Sequence, residues 1–287
     1  MKKLQLRNNV EMPIEGFGVF QVPDPEVCKK AVFDAIETGY RLIDTAAIYG
    51  NERAVGAAIA EAVEKGLVKR EELFVVTKLW VSDFSYEGAK KGIDRCLERL
   101  GLNYIDLLLL HQPYGDVYGA WKAMEEAYQE KALRAIGVSN FGVGKFTEFC
   151  LLVNEKPMVN QVELHPFFAQ DELLAVMKEW NAVPMAWGPL AEGKHGIFTH
   201  PVLKEIGDKY GKTPAQVALK WNTQRDVVIL PKSVHKERME QNIDLYDFEL
   251  SAEDMEKIKT LDLGHSEIID HNNPMIVKYI IGSKVPE

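Results

Sequence analysis

Four side chains within the first 111 residues have the chemistry to deliver a proton to an oxygen if they meet. Asp44 and Tyr49 lie in RLIDTAAIYGNE (41–52), Lys78 ends LFVVTK (73–78), and His111 ends YIDLLLLH (104–111). A phenol titrates near ~10 and is a feeble acid at neutral pH. A neighbouring ammonium stabilises the phenolate and lowers that value, and Lys78 can do this to Tyr49. Asp44 can hold Lys78 in place and keep it charged, while His111 can orient a carbonyl oxygen by a hydrogen bond. Together they form a tuned proton donor aimed at an oxygen. That suits reduction of a carbonyl, where hydride attacks carbon and the oxygen gains a proton. Singly, each residue has a plainer explanation: Asp44 as a turn-former, Tyr49 as packing, His111 as a core histidine, Lys78 as a surface lysine. A further alternative makes Lys78 the Schiff-base lysine of a barrel lyase.

Whether the four meet depends on the elements that carry them. Short runs rich in Val, Ile and Leu recur along the chain: GFGVF (16–20), YRLID (40–44), LFVVTK (73–78), YIDLLLLH (104–111), LRAIGVS (133–139), MVNQVEL (158–164), VPMAWG (183–188) and VVILPK (227–232). Near-continuous apolarity marks strands covered on both faces. Amphipathic stretches with readable ends separate them. Asp24-Pro25 predicts a capped helix start, with Val27, Ala31, Val32, Ala35 and Ile36 on one face and Gly39 as its stop. Asn51 is expected to cap the next helix. Ile93, Cys96, Leu97 and Leu100 mark a third, ended by Gly101; Thr213-Pro214 opens another, and Ser251 with Asp254 predicts a capping box for an extra C-terminal helix.

Eight strand–helix units in 287 residues predict a closed (β/α)8 TIM barrel. A doubly wound open sheet is the competitor. The first 13 residues, with Asn8-Asn9 between two short runs, predict a hairpin that plugs the barrel's bottom. No Ser/Gly-rich linker divides the chain, so residues 1–287 read as one domain. In such a barrel every strand's C-terminal end lies on one face, so residues distant in sequence share a site. Asp44, Lys78, His111, Ser139-Asn140, Gln161, Trp187 and Lys232 all lie at or near such ends.

Composition sets the outer bounds. Hydrophobic residues make up 46% and charged residues 27%, an ordinary globular balance, and the formal net charge is −9. Acidity argues against nucleic acid or an anionic membrane as partner. Cys28, Cys96 and Cys150 are widely spaced with no CxxC, so buried thiols in a reducing, cytoplasmic compartment are expected. No apolar run follows Lys2-Lys3, and no stretch is long enough to span a membrane. No metal is expected: His195/His200 and His265/His271 lack ligand spacing.

The segments DTAxxYGNE (44–52), TKLW (77–80), LLHxP (109–113), GVSNF (137–141), NQVELHP (160–166) and LPKS (230–233) resemble, in order and over nearly the whole chain, the aldo-keto reductase superfamily. The turn Trp187-Gly188-Pro189-Leu190 and the short segment after His111 look most like bacterial 2,5-diketo-gluconate reductase-like members. The resemblance implies a tetrad of Asp44, Tyr49, Lys78 and His111 with Tyr49 as proton donor. It implies NADPH bound in extended form without a Rossmann domain, in keeping with GFGVFQ (16–21), which lacks the third glycine of a dinucleotide fingerprint. Ser139, Asn140 and Gln161 are then expected to hold the nicotinamide carboxamide, Trp187 to stack on its ring, and Gly188, Pro189 and Leu190 to flank it. Lys232, Ser233 and Arg238 fall where the family brackets the 2′-phosphate, with Val234, Gln241 and Asn242 beside the adenosine. Gln241 replaces a frequent Glu, and His235 a frequent Thr or other small residue. Phe20, Trp80 and His111 are expected to line the substrate pocket beside Tyr49, with the tail from about Ile268 as a movable wall. The expected activity is NADPH-dependent reduction of aldehydes, ketones or keto-sugars by a monomer acting on small molecules. A non-catalytic NADP(H)-sensing barrel is a further alternative.

Overall fold

The N-terminal residues form the expected hairpin: β1 (Lys3–Gln5) pairs antiparallel with β2 (Glu11–Pro13), Leu4 opposite Met12, and Asn9 takes the left-handed conformation the turn requires (φ 66°). The structure, a computed structural model, describes residues 2–286; residues 1 and 287 of the expected unit lie outside the described residues.

Each of the eight apolar runs contains a strand: β3 (Gly16–Gly18), β4 (Leu42–Asp44), β5 (Phe74–Leu79), β6 (Leu107–Leu110), β7 (Ile136–Ser139), β8 (Val159–Glu163), β9 (Val183–Trp187) and β10 (Val228–Ile229). They pair parallel in chain order from β3 to β10. A parallel bridge between Glu15 and Ile229 and a bond from Gly18 N to Pro231 O (3.2 Å) join the last strand to the first, so the sheet closes. Helices fill the crossovers: α1 (Pro25–Thr38), α2 (Glu52–Glu64), α3 (Tyr86–Leu100), α4 (Val117–Gln129), α5 (Val143–Leu152), α6 (Asp171–Glu179), α7 (Pro201–Tyr210) and α8 (Pro214–Gln224). Beyond the barrel follow α9 (Lys236–Ile243), α10 (Ala252–Lys259) and α11 (Pro274–Gly282).

Side chains along a strand alternate between faces, and that period of two organises the whole molecule. Ile43, Val75, Leu108, Val138 and Ala186 point outward into the helical layer. Leu42, Phe74, Val76, Leu107, Leu109, Met185 and Val228 point inward, where Leu6, Met12 and Ile14 of the hairpin region cap them from below. Two residues further along the same inward rows stand Asp44, Lys78, His111 and Trp187. The lower barrel is therefore filled with hydrocarbon, and the polar groups collect at the upper rim.

Helix ends follow the chemistry of their caps. Asp24 accepts from Val27 N at the start of α1, and Gly39 (φ 116°) ends it. Thr213 with Gln216 and Ser251 with Asp254 form capping boxes. Asn51 departs from expectation. It makes no cap bond on α2; its amide instead donates to Val19 O (3.0 Å) and Val22 O (3.3 Å) and accepts from Thr45 Oγ1 (2.7 Å). Tying two loops below the rim satisfies more buried polar groups than one helix cap would. Where α2 crosses α3, a Cβ on Gly56 would sit 2.2 Å from Leu100 O, so only glycine allows that approach. The three cysteines are buried free thiols, and no helix among the described residues is long and apolar enough to cross a membrane.

Candidate active site

At the upper rim Lys78 is wholly buried, and its Nζ donates to Asp44 Oδ1 (2.7 Å) and Thr45 O (2.9 Å). The other oxygen of Asp44 accepts from Gln161 Nε2 (2.7 Å), which also lies 3.0 Å from Met185 Sδ. Tyr49 arrives from a single tight turn, Ala47–Tyr49, ended by Gly50 in the left-handed region (φ 69°). The turn sits against β5 and brings the phenol to Lys78, whose Nζ lies 5.1 Å from the ring centroid. Tyr49 meets His111 edge to face (5.6 Å), and His111 meets Trp80 likewise (5.0 Å). Phe20, half exposed, tilts against Tyr49 at 5.0 Å. Four rings thus gather beside the Asp44–Lys78 pair.

Burial governs the protonation of this group. It pushes the Asp44 carboxyl up and the Lys78 ammonium down, and the contact between the two opposes both shifts. Tyr49 is pushed well above the ordinary phenol value, first by burial and then by the charge of Asp44. The sequence expectation that Lys78 lowers this value is therefore not met: the ammonium lies beside the ring, is paired with Asp44, and does not offset desolvation. His111 is driven well below the usual imidazole value by burial, then by Lys78 and His271. The site is a neutral phenol and a neutral imidazole resting on a buried ion pair.

The expected cofactor residues fall into two groups. At the tips of β7 to β9, Ser139 Oγ donates to Gln161 O (2.8 Å) and Asn140 Nδ2 to His111 O (3.0 Å). Asn140 Oδ1 accepts from Trp187 Nε1 (2.8 Å), which fixes the indole plane at the rim. Asn140 (φ 64°) and Gly188 (φ 58°) both take left-handed turns there, and Pro189 and Leu190 continue from Gly188. Gln161, assigned by resemblance to hold a carboxamide, has its amide nitrogen engaged by Asp44. Around the corner, Lys232, Val234, Arg238 and Gln241 are exposed, whereas Ser233 and Asn242 are buried. Ser233 Oγ bonds His235 N (3.0 Å) and His235 O (3.1 Å), shaping the entry to α9. Among the described residues neither Lys232 nor Arg238 has a carboxylate partner, whereas the nearby Lys236 pairs with Glu37. Two unpaired cations beside a hydroxyl are the donor set of a phosphate monoester. Two cavities of about 490 Å³ and about 450 Å³ lie away from the tetrad, one by Arg53, Arg95 and Lys284, the other by Asn8 and Arg134.

The chain matches the Aldo/keto reductase family over residues 16–263. It belongs to that family. A glyoxal reductase of Bacillus subtilis (strain 168) is 45% identical over 259 residues, 90% of this chain and 92% of the relative. A methylglyoxal reductase of Escherichia coli (strain K12) is 39% identical over 268 residues, 91% and 94% of the two chains. The crystal structure of a Bombyx mori aldo-keto reductase in complex with NADP superimposes with a TM-score of 0.89 at 35% identity, over 94% of this chain and 95% of that one. The relatives are named as reductases and dehydrogenases, and this aldo/keto reductase is an oxidoreductase.

Some residues of the reductase's rim were not singled out from sequence. Glu52, buried, accepts from Thr77 Oγ1 (2.6 Å) and Arg99 Nε (2.6 Å) directly behind Lys78. Glu163, two residues beyond Gln161 and so on the same inward row, bonds His165 Nε2 (3.0 Å) and Ser266 Oγ (2.5 Å). The alternation of β8 could have flagged Glu163; nothing local marks Ser266 or His271. The tail expected from Ile268 as a movable wall folds into α11 and is tethered, Trp80 Nε1 donating to Ser283 O (3.0 Å) and Tyr114 Oη to His271 O (2.5 Å).

Proposed function

We propose that this aldo/keto reductase uses NADPH to reduce small aldehydes, ketones or dicarbonyls to alcohols, with Tyr49 as the proton donor. The observation that carries the reading is the meeting of a neutral Tyr49 with a buried Lys78–Asp44 pair and a neutral His111 at one rim. The names of the relatives, glyoxal reductase and methylglyoxal reductase, support small uncharged carbonyls. The acidic balance of the chain, −9, agrees with a small-molecule substrate rather than nucleic acid.

NADPH, when bound, supplies the hydride equivalent that the carbonyl carbon accepts. The chain's own residues do the rest. His111 and Tyr49 hold the carbonyl oxygen, and Tyr49 gives up its proton as negative charge develops there, a contribution of roughly 10²–10⁴-fold for a positioned acid. Lys78 is fixed by Asp44 and Thr45 O at a distance where its charge favours the phenolate being formed. Trp187, its plane set by Asn140, offers a flat apolar face for the nicotinamide, with Ser139, Asn140 and Gln161 at the edge for the carboxamide. Lys232, Ser233 and Arg238 would bracket the 2′-phosphate, with Val234, Gln241 and Asn242 alongside. A Schiff-base role for Lys78 is disfavoured by its complete burial and its engagement with Asp44. A bare sensor would have no use for the tetrad.

Tyr49→Phe tests the assignment. NADPH affinity, read by fluorescence titration, is expected to persist while kcat for an aldehyde drops roughly 10²-fold or more. Undiminished kcat in that variant would refute Tyr49 as the donor, and tight NADPH binding with no turnover of any carbonyl by the wild type would favour a sensor.

A further inference from the structure

Asn51 and Glu52 are consecutive and both are buried where α2 begins. Asn51 Oδ1 accepts from Thr45 Oγ1 (2.7 Å), and the carbonyl of the same Thr45 accepts from Lys78 Nζ (2.9 Å). Glu52 Oε1 accepts from Thr77 Oγ1 (2.6 Å), and Thr77 precedes Lys78 on β5. Lys78 is thus pinned twice from the start of α2, once through the strand that carries it and once through a carbonyl that it bonds. The other oxygen of Glu52 accepts from Arg99 Nε (2.6 Å) of α3. Gly56 permits that reach. It lies one helical turn beyond Glu52, and its missing Cβ lets α2 close onto the carbonyl of Leu100, the neighbour of Arg99.

Hydrocarbon would join α2 to β5 at less cost than a buried ion pair does. The carboxylate has a use that packing does not supply. Burial works against the Lys78 ammonium, and the groups that oppose it are the carboxylates of Asp44, from β4, and Glu52, from α2. Tyr49 and His111 complete the titratable surroundings of Lys78 on the rim side. Asp44 is itself pushed up by burial, so the second carboxylate reinforces a partner that desolvation weakens. Around Glu52 stand Arg99 and the Cys96 thiol of α3, and burial, then the charge of Glu52, keeps that thiol neutral.

We propose that Glu52, countered by Arg99, is a positioning residue for carbonyl reduction: from behind β5 it fixes the place of Lys78 and backs its positive charge. The inference rests on Tyr49 as proton donor and adds the group that supports its ammonium neighbour. Val76 and Lys78 face the barrel interior, so Thr77 between them faces the helices, and Glu52 meets β5 from that side. Glu52 therefore acts through Lys78, whose charge favours the phenolate that forms as Tyr49 gives up its proton.

The test follows kcat/KM for methylglyoxal from about pH 7 to about pH 11 in the wild type and in variants of Glu52. Glu52→Gln keeps the size of the side chain and an acceptor for Thr77 but removes the charge. Its alkaline limb is expected to move down by about 1 pH unit, because Lys78 then gives up its proton earlier. KM at neutral pH and NADPH affinity are expected to stay within about 2-fold of wild type. Glu52→Gln/Arg99→Gln leaves no unpaired charge between α2 and α3, and the same shift is expected in it even where Glu52→Gln alone is too unstable to assay. Glu52→Asp, which retains the charge, is expected to hold its limb nearer the wild-type position. A limb within about 0.2 pH unit of wild type in the charge-removing variants overturns the inference, whatever happens to kcat or to urea stability. A limb displaced as far in Glu52→Asp as in Glu52→Gln overturns it too, since packing and not charge would then be at work. No turnover of methylglyoxal by the wild type defeats the carbonyl-reduction reading itself, an outcome distinct from an unmoved limb.

Discussion

Tyr49 keeps its proton because burial and the charge of Asp44 both raise its value above the ordinary phenol figure of 10.0. The acid form of the donor is present below that value and is lost only as pH rises through it. His111, pushed below the usual 6.5, is already neutral in the neutral range and does not titrate there. The expected pH profile of kcat/KM for carbonyl reduction is therefore level from about pH 7 to about pH 9, falling only on the alkaline side. A descending limb centred near neutrality would show that Tyr49 is acidified after all and that desolvation does not dominate the site. Lys78 and Asp44 act on this through position: a buried pair whose members hold each other is costly to break from one side.

At the scale of single elements, one capping box also ties two helices together. Asp254 closes the capping box of α10 and also accepts from Lys209 Nζ (2.7 Å) and Tyr210 Oη (2.6 Å) of α7. Burial works to raise its value, but these bonds and those from Ser251 hold it down, from 3.8 to about 2. Its folded value is depressed, so its contribution to stability is complete above 3.8 and is lost as pH falls through about 2. Asp254→Ala is expected to cost about 2 kcal/mol in urea unfolding at neutral pH, and the gap to wild type is expected to shrink as pH falls below 3.8 and to close only below about 2, as the wild-type carboxyl protonates. A gap independent of pH would mean that the loss is one of packing. Asn51 teaches the complementary lesson: it stands at a helix start, yet the two loop carbonyls and the threonine around it claim its side chain.

For the molecule as a whole, the barrel divides labour along its axis. The lower half is an apolar plug in which Met12 and Ile14 meet Leu42, Phe74 and Leu109; the upper rim carries the chemistry. Met12→Ala is expected to destabilise the fold by about 2–5 kcal/mol through the cavity it leaves, with kcat/KM for an aldehyde within about 2-fold of wild type, because the damage lies at the opposite end from the site. A comparable loss in kcat/KM would mean that the plug and the rim are mechanically coupled.

The sequence by itself determined the strands and the barrel, and it put forward Asp44, Tyr49, Lys78 and His111 as candidates that the fold brings to one rim. Those follow from local rules: continuous apolar runs, stop residues between them, and polar residues at run ends that parallel strands must deliver to one face. Lys232 and Arg238 near α9 entered as phosphate ligands only through the family resemblance; that neither has a carboxylate partner among the described residues is a finding of the structure. The tertiary structure alone decided the protonation of the site and the anchoring of the C-terminal segment. How far burial outweighs the Lys78 charge at Tyr49 depends on solvent excluded by parts of the chain more than 100 residues apart. That Glu163 holds Ser266 and Tyr114 holds the carbonyl of His271 is likewise a matter of long-range contacts, which leave no period or motif in the segment that makes them.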